Sequence, residues 1–219
     1  MAQKTPLVLL LCGSFNPVTN MHLRMFEIAK NYFNSSEKYD LLKGIISPVS
    51  DGYKKKGLLD ALTRCKMVKL GLKNQDWIEL SEWESTKSEW TPTLEVLNYH
   101  KKYAESLFGK NVQLMLLCGG DLVETFLIPN LWKADHMEEI FSNFGLAVIN
   151  RMGSGPEKTI YENDFLYKHK NNIYLINDWI LNDISSTKIR RAISRNESVR
   201  YLIPDEVNDF ILKNNLYKN

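Results

Sequence analysis

The stretch Leu9–Lys30, LLLCGSFNPVTNMHLRMFEIAK, constrains the fold of this chain more than any other. A continuously apolar run stops at Gly13 and crosses a polar turn holding Asn16, Pro17, Thr19, Asn20 and His22. A helical pattern then begins with no spacer. Apolar character without alternation marks a strand buried on both faces, the kind found in parallel sheets. A strand that passes straight into a helix is the first half of a β-α-β unit.

The rest of the chain repeats that logic. Leu7–Cys12 reads as the first strand, and Leu23–Phe33 as a helix with Met25, Phe26, Ala29 and Phe33 at helical spacing. Leu42–Ser47, Trp77–Leu80, Val112–Cys118, Leu146–Asn150 and Ile173–Ile176 read as further strands. Leu58–Leu72, Pro92–Leu107, Ser186–Ser194 and Pro204–Leu212 read as helices. Alternation of this kind predicts an α/β fold: an open, mostly parallel sheet with helices on both faces. No repeat or linker interrupts it, and the Gly/Pro-rich stretch Met152–Glu157 reads as a surface loop, so residues 1–219 are expected to form a single domain.

Composition narrows the class. With 28 basic and 26 acidic side chains the net charge is +2, which does not call for a nucleic acid or a membrane as partner. Positive charge is nevertheless concentrated at Lys54, Lys55 and Lys56 and again at Lys188, Arg190 and Arg191. Cys12, Cys65 and Cys118 form no C-x-x-C pair and suit a reduced, intracellular protein. The apolar run Pro6–Cys12 is far shorter than the roughly 20 residues of a membrane span, and no signal peptide is read.

In open α/β sheets ligands gather beyond the carboxyl ends of the strands. Gly13-Ser14 stands at such an end, and the N–H groups opening the next helix present a positive dipole to the same space. That combination suits an anion, yet the turn matches neither G-x-x-x-x-G-K-[ST] nor G-x-G-x-x-G. Far downstream, Asp183-Ile184-Ser185-Ser186-Thr187-Lys188-Ile189-Arg190-Arg191 sets capping serines before a helix whose first turns carry cations. Cations oppose the dipole there, and a polyanion placed between them removes the conflict. The Tyr53–Gly57 loop adds lysines on the ligand-facing side of the sheet, so the three elements together point to phosphate.

These residues carry a family resemblance. G-S-F-N-P-V-T-N-M-H resembles the G-x-F-x-P-x-[HT]-x-x-H pattern of nucleotidylyltransferases, and I-S-S-T-K-I-R-R is similar to their second motif, I-S-S-T-x-x-R. Trp90-Thr91-Pro92-Thr93, Gly119-Gly120-Asp121 and Pro129-Asn130-Leu131-Trp132 lie between them, in the order found in eukaryotic nicotinamide mononucleotide adenylyltransferases. The resemblance implies a Rossmann-like, three-layer α/β/α fold. It also implies a reaction in which the 5′-phosphate of nicotinamide mononucleotide, or of the nicotinic acid form, attacks the α-phosphorus of ATP, releasing pyrophosphate.

Carried over residue by residue, the resemblance puts His22, Lys55 and Arg190 at the chemistry. Gly13 and Ser14 contact the dinucleotide backbone, His22 meets the ATP phosphates, Lys55 faces the mononucleotide and Lys56 the ATP. Thr187, Lys188, Ile189 and Arg190 hold the phosphates. Trp90 and Trp132 frame the pyridine ring, while Thr93 and the Leu131 backbone meet its carboxamide. Gly119 and Asp121 approach a ribose, and Asp178 and Asn182 complete the mononucleotide set.

The resemblance further implies magnesium bound mainly through the ATP phosphates, with no protein metal site, and favours a homo-oligomer. The loop between Leu107 and Val112 lacks the long basic insertion that carries a nuclear address in some members, which favours cytoplasm over nucleus. Two other readings fit parts of the chain: another adenylyl- or cytidylyltransferase with a different acceptor, and a chaperone-like binding role beside catalysis. Trp90, Thr93 and Trp132 argue against the first, because an acceptor without a ring gives tryptophan nothing to stack on.

Overall fold

The computed structural model describes residues 3–150 and 155–218. Six strands, β1 (Thr5–Gly13), β2 (Tyr39–Pro48), β3 (Ile78–Leu80), β4 (Gln113–Gly119), β5 (Leu146–Asn150) and β6 (Ile173–Asn177), form one sheet in the order β3-β2-β1-β4-β5-β6. The sheet is parallel throughout, Rossmann-like, and more regular than the mostly parallel sheet expected. In β1 and β4, Leu7–Leu10 lie in register with Gln113–Leu116. Leu7, Val8, Leu9 and Leu10 are completely buried, which accounts for the absence of alternation in that strand.

Helices α1 (Asn20–Asn34), α2 (Ala61–Gly71), α3 (Thr93–Phe108), α8 (Ser186–Ser194) and α9 (Asp205–Lys213) match the predicted helices to within a few residues. The short helices α4 (Gly120–Thr125), α5 (Ala134–Glu139), α6 (Pro156–Glu162) and α7 (Asp164–Lys168) were not predicted. Each spans two turns or fewer, too little for an amphipathic period to emerge. Of the predicted loop Met152–Glu157, residues 152–154 lie outside the described residues, and Pro156 opens α6 at a first-turn position where its missing N–H costs nothing. Among the described residues no helix is long and apolar enough to cross a membrane.

The chain groups into two compact units. The first takes the described residues of Met1–Leu11, Met25–Gly44 and Pro92–Asn182; the second takes those of Cys12–Arg24, Ile45–Thr91 and Asp183–Asn219. The core of the first unit includes Leu114–Leu117 and Leu146–Ile149. That of the second includes Val18, Ile45, Ile46, Met67, Val68, Val207 and Ile211, with α2 packed on α9.

The second unit also buries an acid. Glu84 is nearly inaccessible and accepts a 2.6 Å hydrogen bond from Ser47 Oγ. Burial pushes its carboxyl from 4.5 up to about 7, while the Ser47 hydrogen bond and the Arg64 charge pull the other way. Because the folded protein holds this proton to higher pH than the unfolded chain, stability present below pH 4.5 is lost as pH rises toward 7. The loss amounts to about 3 kcal/mol at most. Glu84→Gln is expected to flatten that slope and to raise the unfolding free energy at pH 8, measured by urea titration at several pH values.

Candidate active site

In the second unit the turn after β1 is bound by three donors from two distant segments, α2 and α8. Arg64 Nη1 donates to Ser14 O at 2.9 Å, Arg190 Nη1 to Asn16 O at 2.8 Å, and Ser186 Oγ to Pro17 O at 2.8 Å. Three carbonyls of the turn are thereby satisfied by side chains, and their negative ends are neutralised. A turn with its acceptors capped in this way suits an anion.

His22 stands in the first turn of α1, half-buried, with the Phe15 ring edge-on at 5.2 Å. Thr19 N–H donates to His22 Nδ1 at 3.0 Å, and Thr19 Oγ1 lies 2.8 Å from the same nitrogen. An N–H aimed at Nδ1 requires a lone pair there, so the geometry assigns the neutral ring its proton on Nε2. His22 thus presents a donor. Thr19, fully buried, fixes both ring angle and tautomer, and its carbonyl accepts from the His22 N–H at 3.0 Å.

The serine-rich cap of the sequence enters the same unit. Ser185 caps α8 by accepting from Lys188 N–H at 3.3 Å, and Ser186 Oγ reaches Pro17. The histidine bend and the Ser-Ser-Thr cap are therefore joined directly, across 169 residues of sequence between Ser186 and Pro17. Arg190 spends one guanidinium nitrogen on Asn16 O and sets the other 3.4 Å from Thr187 Oγ1. Lys188 forms an exposed ion pair with Asp183. Such pairs are weak and exchange readily for a stronger anion.

Ile189 departs from expectation. Its side chain is buried and its N–H donates to Ser185 O at 3.0 Å, so neither group is available to a nucleotide. Ile189 and Ile193, one turn apart, are the buried face of α8; the residue packs the helix that presents Arg190.

Lys55 and Lys56 are exposed on the loop after β2. That loop is fastened from beneath. Asn16 Nδ2 donates to Gly57 O at 2.8 Å, and Asp51 Oδ1 accepts from Ala61 N–H at 2.7 Å. Trp90 is half exposed, and its backbone crosses Gly52 so closely that a Cβ there would stand 2.5 Å from Trp90 N. Ser50 Oγ holds the neighbouring Glu89 O at 2.8 Å. The indole is thereby displayed on a fixed backbone.

Arg64 escaped the sequence reading. Its side chain is fully buried, and the guanidinium donates to Leu59 O at 2.8 Å, Ser14 O at 2.9 Å and Val49 O at 2.6 Å, with Asp51 Oδ1 3.4 Å away. One planar cation thus clamps the segments that follow β1 and β2 to the start of α2. The signal was available: Arg64 shares a helical face with Ala61, Cys65 and Val68, all buried, and an arginine on an apolar face needs several acceptors.

The first unit carries the other candidates. Gly119 ends β4 and Asp121 is exposed in the first turn of α4. Trp132 lies tilted over Phe126 with ring centres 4.6 Å apart, and its Nε1–H donates to Thr125 Oγ1 at 3.1 Å, so the indole is locked. Leu131 is exposed and its N–H donates to Ile128 O at 3.2 Å, which leaves its carbonyl as the group to offer a carboxamide. Thr93 opens α3, where N–H groups lack intrahelical acceptors. Asp178 accepts from Ile180 N–H at 3.2 Å, and Asn182, partly buried, lies beyond it on the segment leaving β6.

The cysteines are unsuited to attack. Burial raises the thiols of Cys12, Cys65 and Cys118 above their ordinary range, with nearby acids adding to the effect.

Comparison with known proteins completes the assignment. The cytidylyltransferase-like family model matches residues 10–192, a span that enters both units. A nicotinamide/nicotinic acid mononucleotide adenylyltransferase of Bos taurus is 47% identical over 255 residues, covering all of this chain and 91% of its own length. This chain belongs to that family.

A second member of the nicotinamide mononucleotide adenylyltransferase family, from Drosophila melanogaster, is 43% identical over 232 residues and covers 94% of this chain, which spans 60% of that relative. The solved nicotinic acid mononucleotide adenylyltransferase of Plasmodium falciparum, complexed with NaAD, superposes with a TM-score of 0.69 over 98% of both chains at 22% identity. At that identity the likeness speaks for the fold.

Proposed function

We propose that this protein transfers the adenylyl group of ATP to nicotinamide mononucleotide or nicotinic acid mononucleotide, yielding the dinucleotide and pyrophosphate. A 5′-phosphate oxygen of the mononucleotide bonds to the α-phosphorus of ATP. The bond from that phosphorus to the α,β-bridging oxygen breaks, and pyrophosphate departs with the electron pair. The attacking phosphate is already ionised at neutral pH, so no general base is required, and the raised thiols agree with direct transfer.

The observation that carries this reading is the capping of the Ser14, Asn16 and Pro17 carbonyls by Arg64, Arg190 and Ser186. It leaves a turn of N–H donors, the His22 Nε2–H and the Arg190 charge as the chemistry on offer. Transfer of this type depends on positioning and on neutralising charge on the bridging and leaving oxygens. His22 and Arg190 serve that purpose, and Lys55, Lys56, Thr187 and Lys188 steer the phosphates. In the first unit Trp132 offers an indole face suited to a cationic pyridinium, Thr93 N–H and Leu131 C=O suit a carboxamide, and Asp121 suits a ribose hydroxyl; in the second, Trp90 offers an indole face of the same kind.

In the proposed reaction magnesium arrives with ATP as part of the substrate. Among the described residues no group of three or more His, Cys, Asp or Glu could hold an ion, and magnesium readily takes phosphate oxygens and water instead. When bound there it offsets triphosphate charge.

The test is incubation of the protein with ATP, magnesium and each mononucleotide, with pyrophosphate and dinucleotide measured together, and with a phosphorylated pantetheine as the competing acceptor. Dinucleotide is expected from a pyridine mononucleotide alone. Pyrophosphate released only with the pantetheine acceptor would overturn the assignment. Trp132→Ala is expected to raise KM for the mononucleotide roughly 3- to 30-fold, the equivalent of one cation–π contact, and KM for ATP far less. Equal rises in the two constants would remove Trp132 from the ring site.

A further inference from the structure

Asn16 is the most heavily committed residue of the phosphate turn. Its side chain is nearly inaccessible to water. Its Nδ2 donates to Gly57 O, its backbone carbonyl accepts from Arg190 Nη1, and its Oδ1 accepts from Tyr217 O–H, all at 2.8 Å. Leu59 N–H approaches the same Oδ1 at 3.5 Å, a long contact. Tyr217 thus lies 201 residues downstream of the amide it orients. Its backbone has a φ of 62°, in the left-handed region that tyrosine seldom adopts, so the chain holds an unfavourable conformation there. The phenol also lies near the guanidinium groups of Arg190 and Arg64.

We propose that Tyr217 is a positioning residue for the adenylyl-transfer site, acting through Asn16 on Arg190 and on the lysine loop. The reasoning is one of donor and acceptor orientation. An asparagine amide has two nearly equivalent orientations, and only one sets Nδ2 toward Gly57 O. The Tyr217 hydroxyl donates its proton to Asn16 Oδ1 and so selects that orientation. Without it, among the described residues a buried carbonyl retains only the distant Leu59 N–H, and the amide is free to rotate. Rotation sets oxygen against the Gly57 carbonyl and loosens the loop that carries Lys55 and Lys56. The same movement displaces the Asn16 backbone that Arg190 grips.

The inference rests on the proposed function, but its test separates the two. Tyr217→Phe removes one oxygen from a partly exposed ring. It is expected to lower kcat about 10-fold and to weaken the affinity for pyrophosphate, measured by calorimetry without turnover, by a similar factor. The melting temperature is expected to fall by only a few degrees, the cost of one buried acceptor left short of a donor, and the KM for mononucleotide to rise less than the pyrophosphate affinity falls. In an Asn16→Ala background the Tyr217→Phe change is expected to have no further effect, because the amide that the hydroxyl orients is gone. Should Asn16→Ala fail to fold, the contrast between pyrophosphate affinity and melting temperature in Tyr217→Phe alone decides the matter. Unchanged pyrophosphate affinity, or losses that multiply in the double variant, would overturn the positioning role. A wild-type protein that binds pyrophosphate yet makes no dinucleotide would instead overturn the proposed reaction, leaving the Tyr217 result readable from affinity.

Discussion

His22→Ala is expected to lower kcat by about two to three orders of magnitude with the fold intact, the loss that follows removal of one preorganised donor from a developing oxyanion. The expectation rests on the tautomer. Thr19 N–H occupies Nδ1 at 3.0 Å, so the neutral imidazole carries its proton on Nε2, the tautomer that can donate to phosphate. Half-buried at the start of α1, the ring makes an edge contact with Phe15 but does not form part of the deep core. Loss of the ring should therefore cost little stability. Two measurements decide the point: the single-turnover rate with saturating ATP and mononucleotide, and the urea midpoint. A variant with near wild-type turnover removes His22 from the chemistry. Thr19→Val offers a finer probe, because it retains the backbone N–H to Nδ1 but deletes the Oγ1 contact at 2.8 Å. A loss of about 10-fold is expected there, consistent with one weakened orienting contact.

Much of the fold is legible in the sequence. The strands β1 and β4 announce themselves because burial on both faces leaves no reason for polar residues, and Leu7–Leu10 are indeed inaccessible. The α8 start is equally plain, since Ser185 caps it in the way the sequence suggests. The anion logic of cations at a helix start singled out Arg190, which the structure sets against the Asn16 carbonyl, and one turn of periodicity would have shown that Ile189 belongs to the buried face. Arg64 showed itself in the sequence only as a cation on an apolar helix face, and Asn16 and Tyr217 as supports were not legible. Their bonds join residues 50, 41 and 201 positions apart, and no local pattern encodes which distant carbonyl a guanidinium or phenol will reach. Side chains that touch substrate leave motifs; side chains that orient them leave only a mismatch, such as a charged residue on an apolar helix face.

Arg190→Ala is expected to have the largest effect of any substitution in the site, about three orders of magnitude in kcat, because the side chain has two tasks. One nitrogen holds the Asn16 carbonyl at 2.8 Å, and so shapes the turn. The delocalised charge on the same planar group, set beside Thr187 Oγ1, is what the proposed reaction directs at the triphosphate. Arg190→Lys separates these tasks. Lysine keeps the charge but offers a compact ammonium that cannot grip a carbonyl and face a phosphate at once. If charge alone mattered, lysine would restore most of the rate. If the fork matters, the lysine variant should recover no more than about 10-fold of the loss and should bind pyrophosphate more weakly than wild type. The alanine variant also tests the link across the chain: with the Asn16 carbonyl released, the reactivity of Lys56 toward an acylating reagent should rise, since Gly57 is held through that same asparagine. An unchanged Lys56 reactivity together with a full loss of turnover would confine Arg190 to its charge and would mean that Asn16 holds its place without it.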